Sequence, residues 1–146
     1  MAATPKHIVL VEDDTVDVEI VKRAIAKSNH KIELEIFSTG DSALVGLEQA
    51  IDQDRPIDAV ILDIKLPGLS GHDVLERIRS NPKLAKLIVF MVSTSMRDED
   101  RKRGYNQQIA GYIFKDSEDH MIESLDMVMN YLASPHSFSK TGEVGL

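Results

Sequence analysis

The stretch VILDIKLPGLSG, residues 60–71, runs a short apolar segment into a single carboxylate, Asp63, and then breaks at Pro67 and Gly68. A run of this kind reads as a strand of a parallel sheet, buried on both faces, where a charge has no cheap place to sit. An Asp at its last position is therefore either a turn-former or a chemical group held at the edge of the sheet. The sequence on either side decides between the two.

Working outward, short apolar runs recur at HIVLV (7–11), IELEIF (32–37), AVIL (59–62), LIVFMV (87–92) and GYIF (111–114). Helical spacing lies between them. Val16, Ile20, Val21, Ala24 and Ile25 mark one face, Ala43, Leu44, Leu47 and Ile51 a second, and Val74, Leu75 and Ile78 a third. SMRDEDRKRGYNQQI is almost wholly charged in its middle and carries Gly104 as an interruption, so it predicts only a weak fourth helix. Met121, Ile122, Leu125, Val128, Met129 and Leu132 make a fifth, with an apolar arc wide enough to predict some apolar surface left exposed. Strand and helix alternate, which points to right-handed βαβ units and a doubly wound α/β domain with a five-stranded parallel sheet.

At 146 residues and 42% hydrophobic, the chain is sized for one globular domain. The net charge of -7 and the lack of a Lys/Arg cluster argue against nucleic acid as a direct ligand. With no Cys, disulfide and thiolate chemistry are excluded; the N-terminal MAATPK lacks the apolar stretch of a signal peptide, so a cytoplasmic address is expected. No apolar run approaches the roughly 20 residues that span a bilayer, so a soluble chain with no membrane partner is expected. The closing SPHSFSKTGEVGL, residues 134–146, reads as a flexible tail rather than an effector domain, leaving 1–133 as the domain.

Ligands of open parallel sheets bind outside the carboxyl ends of the strands. Those ends carry Glu12, Asp13 and Asp14 after the first strand, Asp63 after the third, Ser93, Thr94 and Ser95 after the fourth, and Lys115 after the fifth. Asp14 is expected as a helix N-cap, with Asp17 favourable in the first turn. Three adjacent acids exceed what a cap needs, and like charges held together are costly unless a cation neutralises them. Hard carboxylate oxygens suit Mg²⁺, which makes Asp13 a candidate metal ligand once Asp63 is set beside it. Near such a cation Asp63 becomes a usable nucleophile toward a phosphoryl group, with Lys115 and the serine and threonine hydroxyls as donors to its oxygens.

VLVEDD, VILDIKLPGLSG, FMVSTS and GYIFK, in that order over residues 6 to 133, resemble the receiver domain of two-component response regulators. The resemblance implies a flavodoxin-like sheet of order 2-1-3-4-5 with five helices, and Asp63 as the phosphoacceptor. It implies Mg²⁺ on Glu12, Asp13, Asp63 and the backbone carbonyl of Lys65. Lys115, Ser93 and Thr94 become phosphoryl-contacting groups, and Ser93 and Tyr112 the switch pair. A sensor histidine kinase is implied as donor; the STS triplet, Tyr105 and the non-proline KDS run resemble regulators associated with bacterial phytochromes. The wide apolar arc of the fifth helix beside the weak, charged fourth helix predicts the output surface, and a homodimer contact, on the face of the fourth helix, fifth strand and fifth helix, toward a downstream protein that the sequence does not name. Such a protein is a phosphoacceptor signalling molecule, an enzyme only toward its own phosphorylation and dephosphorylation.

The chain departs from the family at two points. Lys115-Asp116 replaces the usual Lys-Pro with its cis peptide, and a cis bond without proline costs about 3 kcal/mol, so a differently shaped loop is expected. Arg101 and Lys102 stand in the fourth helix where related chains carry apolar residues, so different packing is expected there. Other readings fit less well. A haloacid-dehalogenase-like phosphatase would want a second Asp where Lys65 stands, and in a flavodoxin-like nucleotide carrier EDDTVD would repel the phosphate. A receiver that signals without phosphorylation would not need every site residue that this chain carries.

Overall fold

The computed structural model describes residues 4–94 and 98–134. Five strands alternate with five helices: β1 Lys6–Val11, α1 Thr15–Lys27, β2 Ile32–Phe37, α2 Gly40–Asp52, β3 Ala59–Asp63, α3 Gly71–Ser80, β4 Val89–Ser93, α4 Asp98–Asn106, β5 Gly111–Phe114 and α5 Glu118–Ala133. All pairings are parallel and the sheet order is β2-β1-β3-β4-β5. This is the doubly wound, flavodoxin-like arrangement, with β4 beginning two residues later than its apolar run.

Alternation along the strands feeds two cores. Ile8 and Leu10, Ala59 and Ile61, Phe90 and Val92, and Ile113 meet α1 and α5 on one face. Val9 and Val11, Val60 and Leu62, and Val89 and Met91 meet α2 and α3 on the other. Both faces of each central strand are therefore apolar, as a covered parallel sheet requires. Parity then assigns Asp63 and Lys115, at odd positions with Ile61 and Ile113, to the α1/α5 side.

α1, α2, α3 and α5 begin on side-chain caps. Asp14 accepts from the amides of Val16 and Asp17, Thr39 and Ser117 cap α2 and α5, and Ser70 forms a capping box with Asp73. Gly71 opens α3 flush against the end of β3: its amide donates to Ile64 O at 2.8 Å, and a methyl group there would run into the Asp63 carbonyl.

Three expectations need correction. Val16, assigned to the inner face of α1, is 64% exposed, and the buried face of the helix is Ile20, Val21 and Ala24. Gly104 does not interrupt α4; it lies inside the helix and is buried, and its missing side chain makes room for the Tyr112 hydroxyl. On α5, Met121, Leu125, Val128, Met129 and Leu132 are all buried and Ile122 packs partly against them, so the wide arc fills the core. It is Met127, outside that arc, that stands exposed. Across the Lys115-Asp116 junction the peptide is trans, and no cis peptide occurs among the described residues.

Candidate functional site

At the carboxyl edge of the sheet, β1 delivers Glu12 and Asp13, and β3 delivers Asp63. One oxygen of each lies within 4.8 Å of the others, with Glu12 and Asp63 buried and Asp13 exposed. Two of the carboxylates are anchored by local amides: Asp14 N donates to Glu12 Oε1 at 3.1 Å, and Lys65 N donates to Asp63 Oδ1 at 3.1 Å. Each therefore keeps a second oxygen for other chemistry.

β5 delivers the counter-charge. Lys115 N donates to Ser93 O at 2.9 Å, pinning the residue to the end of β4, and its Nζ donates to Asp17 Oδ2 at 2.6 Å, Glu12 Oε2 at 2.8 Å and Asp63 Oδ2 at 3.0 Å. Burial alone would lower the Lys115 pKa; the hydrogen bonds to Asp17, Glu12 and Asp63 outweigh it and hold the ammonium charged. Glu12 shows the opposite balance. Burial pushes its pKa up from 4.5 to about 8, Lys115 pulls it back, and Asp63 adds to the upward push. Three acids contact that one ammonium and Asp13 stands beside two of them, a crowding of acidic groups that a divalent cation can relieve.

The donor set fits such a cation: three hard carboxylate oxygens, one of them open to solvent for the waters that small divalent ions retain. Glu12, Asp13 and Asp63 would hold it. Ser93 is buried at the end of β4, and Thr94 follows it, exposed. Ser95 lies outside the described residues. Tyr112 packs on the second core, its hydroxyl donating to the Asp100 carbonyl of α4, with Tyr105 edge-on at 5.6 Å and Phe114 stacked at 6.4 Å. Together the structure gathers Glu12, Asp13, Asp63 and Lys115 at one point and sets Tyr112 apart, against α4.

One residue of this site escaped the sequence reading. The sequence pattern ties Asp17 only to the electrostatics of the α1 N-terminus, yet it makes the shortest of the Lys115 contacts. Strand parity is the signal that finds it: Lys115 faces the α1/α5 side, and Asp17 is in the first turn of α1.

Comparisons with known proteins bear on the family and the fold. Residues 8–126 match the family described as the response regulator receiver domain, and the chain belongs to that family. It is therefore a signalling receiver of the two-component class. It is 32% identical to the response regulator Rcp1 of Synechocystis sp. over 114 residues, 76% of this chain and 77% of that protein. It is 30% identical to the probable methanogenesis regulatory protein FilR2 of Methanothrix harundinacea over 115 residues, 78% of this chain and 74% of that one. Among solved structures, that of the phosphorylated cyanobacterial phytochrome response regulator RcpA superposes with a TM-score of 0.81 at 28% identity, covering 90% of this chain and 96% of the other. The Mn²⁺-bound form of Rcp1 superposes with a TM-score of 0.79 at 28% identity, covering 89% and 96%.

Proposed function

We propose that residues 1–133 form a response-regulator module that accepts a phosphoryl group on Asp63 from the phosphohistidine of a sensor histidine kinase, one of the bacterial phytochrome kind. An Asp63 oxygen bonds to phosphorus as the P–N bond breaks, and the released imidazole nitrogen takes up a proton. Mg²⁺, when bound, supplies positive charge to the phosphoryl oxygens. Glu12, Asp13 and Asp63 would hold it, and the backbone carbonyl of Lys65 would serve as a further ligand. Lys115, Ser93 and Thr94 donate to the phosphoryl oxygens, and Ser93 and Tyr112 carry the change to α4. The observation that supports this reading best is the convergence of Lys115 Nζ on Glu12 and Asp63, the two buried members of the three-acid cluster. A cytoplasmic location is part of the proposal; among the described residues no helix is long and apolar enough to cross a membrane.

The output face of the proposal is α4, β5 and α5, toward a downstream protein or a second copy. Its support is an open pocket of about 450 Å³ lined by Arg101, Lys102, Tyr105, Asn106, Tyr112 and Phe114, where the switch tyrosine meets cationic and aromatic surface. Intact-mass measurement after incubation with acetyl phosphate and Mg²⁺ tests the chemistry. The expected result is one phosphoryl adduct, absent in Asp63→Asn and in EDTA. An adduct that survives either condition refutes the assignment.

A further inference from the structure

We propose that Asp17 is a positioning residue that holds Lys115 at the site while a divalent cation occupies the carboxylates. The inference rests on the metal and phosphoryl reading above and deepens it. An ammonium has three N–H donors, and those of Lys115 meet three carboxylates, at 2.6 Å on Asp17, 2.8 Å on Glu12 and 3.0 Å on Asp63. Two of these acceptors have a second claimant. Glu12 and Asp63 belong, with Asp13, to the cluster whose oxygens lie within 4.8 Å of one another; Asp17 does not. A cation drawn to that cluster repels the ammonium and competes for its acceptors, so Asp17 is the one partner left to Lys115.

Asp17 is built for the part. It stands in the first turn of α1, where its backbone amide is held by the N-cap Asp14 at 3.4 Å, and its side chain is 17% exposed beside a Lys115 side chain 10% exposed. An ion pair sheltered to this degree is screened far less than a surface pair. It also gives the ammonium an acceptor to shift toward as a cation claims Glu12 and Asp63, and so eases entry of the cation. Without Asp17 the ammonium has only the metal's own ligands to bind.

Two measurements on the full chain test this, both with Mg²⁺ alone as the probe and neither requiring phosphorylation. In a double-mutant cycle read by calorimetric Mg²⁺ titration, Asp17→Asn is expected to weaken Mg²⁺ binding about fivefold in the parent protein and less than about twofold in a Lys115→Met background. Equal losses in the two backgrounds mean that Asp17 acts by its charge alone, and overturn the proposal. In the second, acetic anhydride labelling of Lys115 is followed by peptide mass spectrometry in saturating Mg²⁺. Asp17→Asn is expected to label faster than the parent and Asp17→Glu to restore protection; identical labelling in all three also overturns it. A parent protein that binds no Mg²⁺ at these carboxylates refutes the metal reading itself, a result distinct from either of the others.

Discussion

Lys65 stands two residues beyond Asp63, exposed, with its amide already donating to Asp63 Oδ1 at 3.1 Å. Its side chain is a long cation without an oxygen, unsuited to orienting a water for attack on a phosphoryl group and suited to covering that group electrostatically. The phosphorylated form is therefore expected to decay slowly, and Lys65→Asn, which supplies an amide in place of the ammonium, is expected to speed the decay about tenfold or more. Following the intact mass of both proteins after removal of acetyl phosphate checks this; faster loss from the parent contradicts it. Gly71 packs against the backbone of the same residue, Asp63. Because a methyl group there meets the Asp63 carbonyl and Ile64 Cα, both backbone atoms, Gly71→Ala has no flexible side chain to push aside. It is expected to cost about 2 kcal/mol in chemical denaturation and to slow phosphorylation as well, since the start of α3 and the end of β3 must separate. An unchanged midpoint would show that the two segments yield freely.

α4 is fastened differently from the other helices. Gly104 is its buried residue among those described, and polar tethers do the rest. The Arg79 guanidinium donates to the carbonyls of Gln107 at 2.7 Å and Gln108 at 2.9 Å just past the helix, and to Ala85 at 2.9 Å and Leu87 at 2.7 Å before β4. Toward the other end, the Tyr112 hydroxyl holds the Asp100 carbonyl. Arg79→Met removes the first tether, and is expected to cost about 2 kcal/mol while raising hydrogen exchange in residues 98–106 more than in β1 and β3. Uniform acceleration across the protein would mean that the clamp serves the whole fold and not this helix. For the output face, sedimentation with and without beryllofluoride is expected to show self-association that Tyr105→Ala weakens, as Tyr105 is 55% exposed at the pocket rim; a monomer in every state excludes a dimer there. Met129, buried on the same helix, is not a site for such a test. At 2% exposure, Met129→Glu buries a charge and is expected to unfold the protein. That contrast shows what was legible in the sequence. The strand runs and the order of acids, hydroxyls and lysine along the chain carry the fold and the Glu12, Asp13, Asp63 and Lys115 cluster, since both depend on spacing. The fate of Met129 and the partner of Asp17 depend on how closely α5 and α1 approach the sheet, and spacing along one chain carries no such distance.

For the molecule as a whole, two buried groups set opposing pH dependences, and the metal site decides their balance. Glu12 ionises near 4.5 when unfolded and is held up to about 8 by burial in the fold, so between those values the folded protein keeps a proton that the unfolded chain has released. Its contribution to stability is complete below about 4.5 and is lost as the pH rises through 8. His72 works the other way. It is 5% exposed, neither ring nitrogen makes a hydrogen bond to a described residue, and Nε2 lies 3.4 Å from Asp100 Oδ1. Burial and the charge of Arg103 lower its pKa from 6.5, against the pull of Asp100 and Asp73, so its contribution is lost as the pH falls from 6.5 through the depressed value. Between about 6.5 and 8 Glu12 acts without opposition from His72, so the metal-free protein is expected to lose thermal stability as the pH rises across that interval. Glu12→Gln carries no proton to lose and is expected to abolish the decline while keeping the acid-side loss of His72. Saturating Mg²⁺ is expected to flatten the same interval in the parent protein by a different route. A cation stabilises the ionised carboxylates and displaces the Glu12 proton, so its stabilising effect grows with pH as that proton becomes easier to remove. Melting curves from pH 5 to 8.5 for the parent and Glu12→Gln, each with Mg²⁺ or EDTA, separate these contributions. Parallel profiles for the two metal-free proteins would show that the proton is not on Glu12, and a Mg²⁺ stabilisation independent of pH would show that the cation does not compete for it.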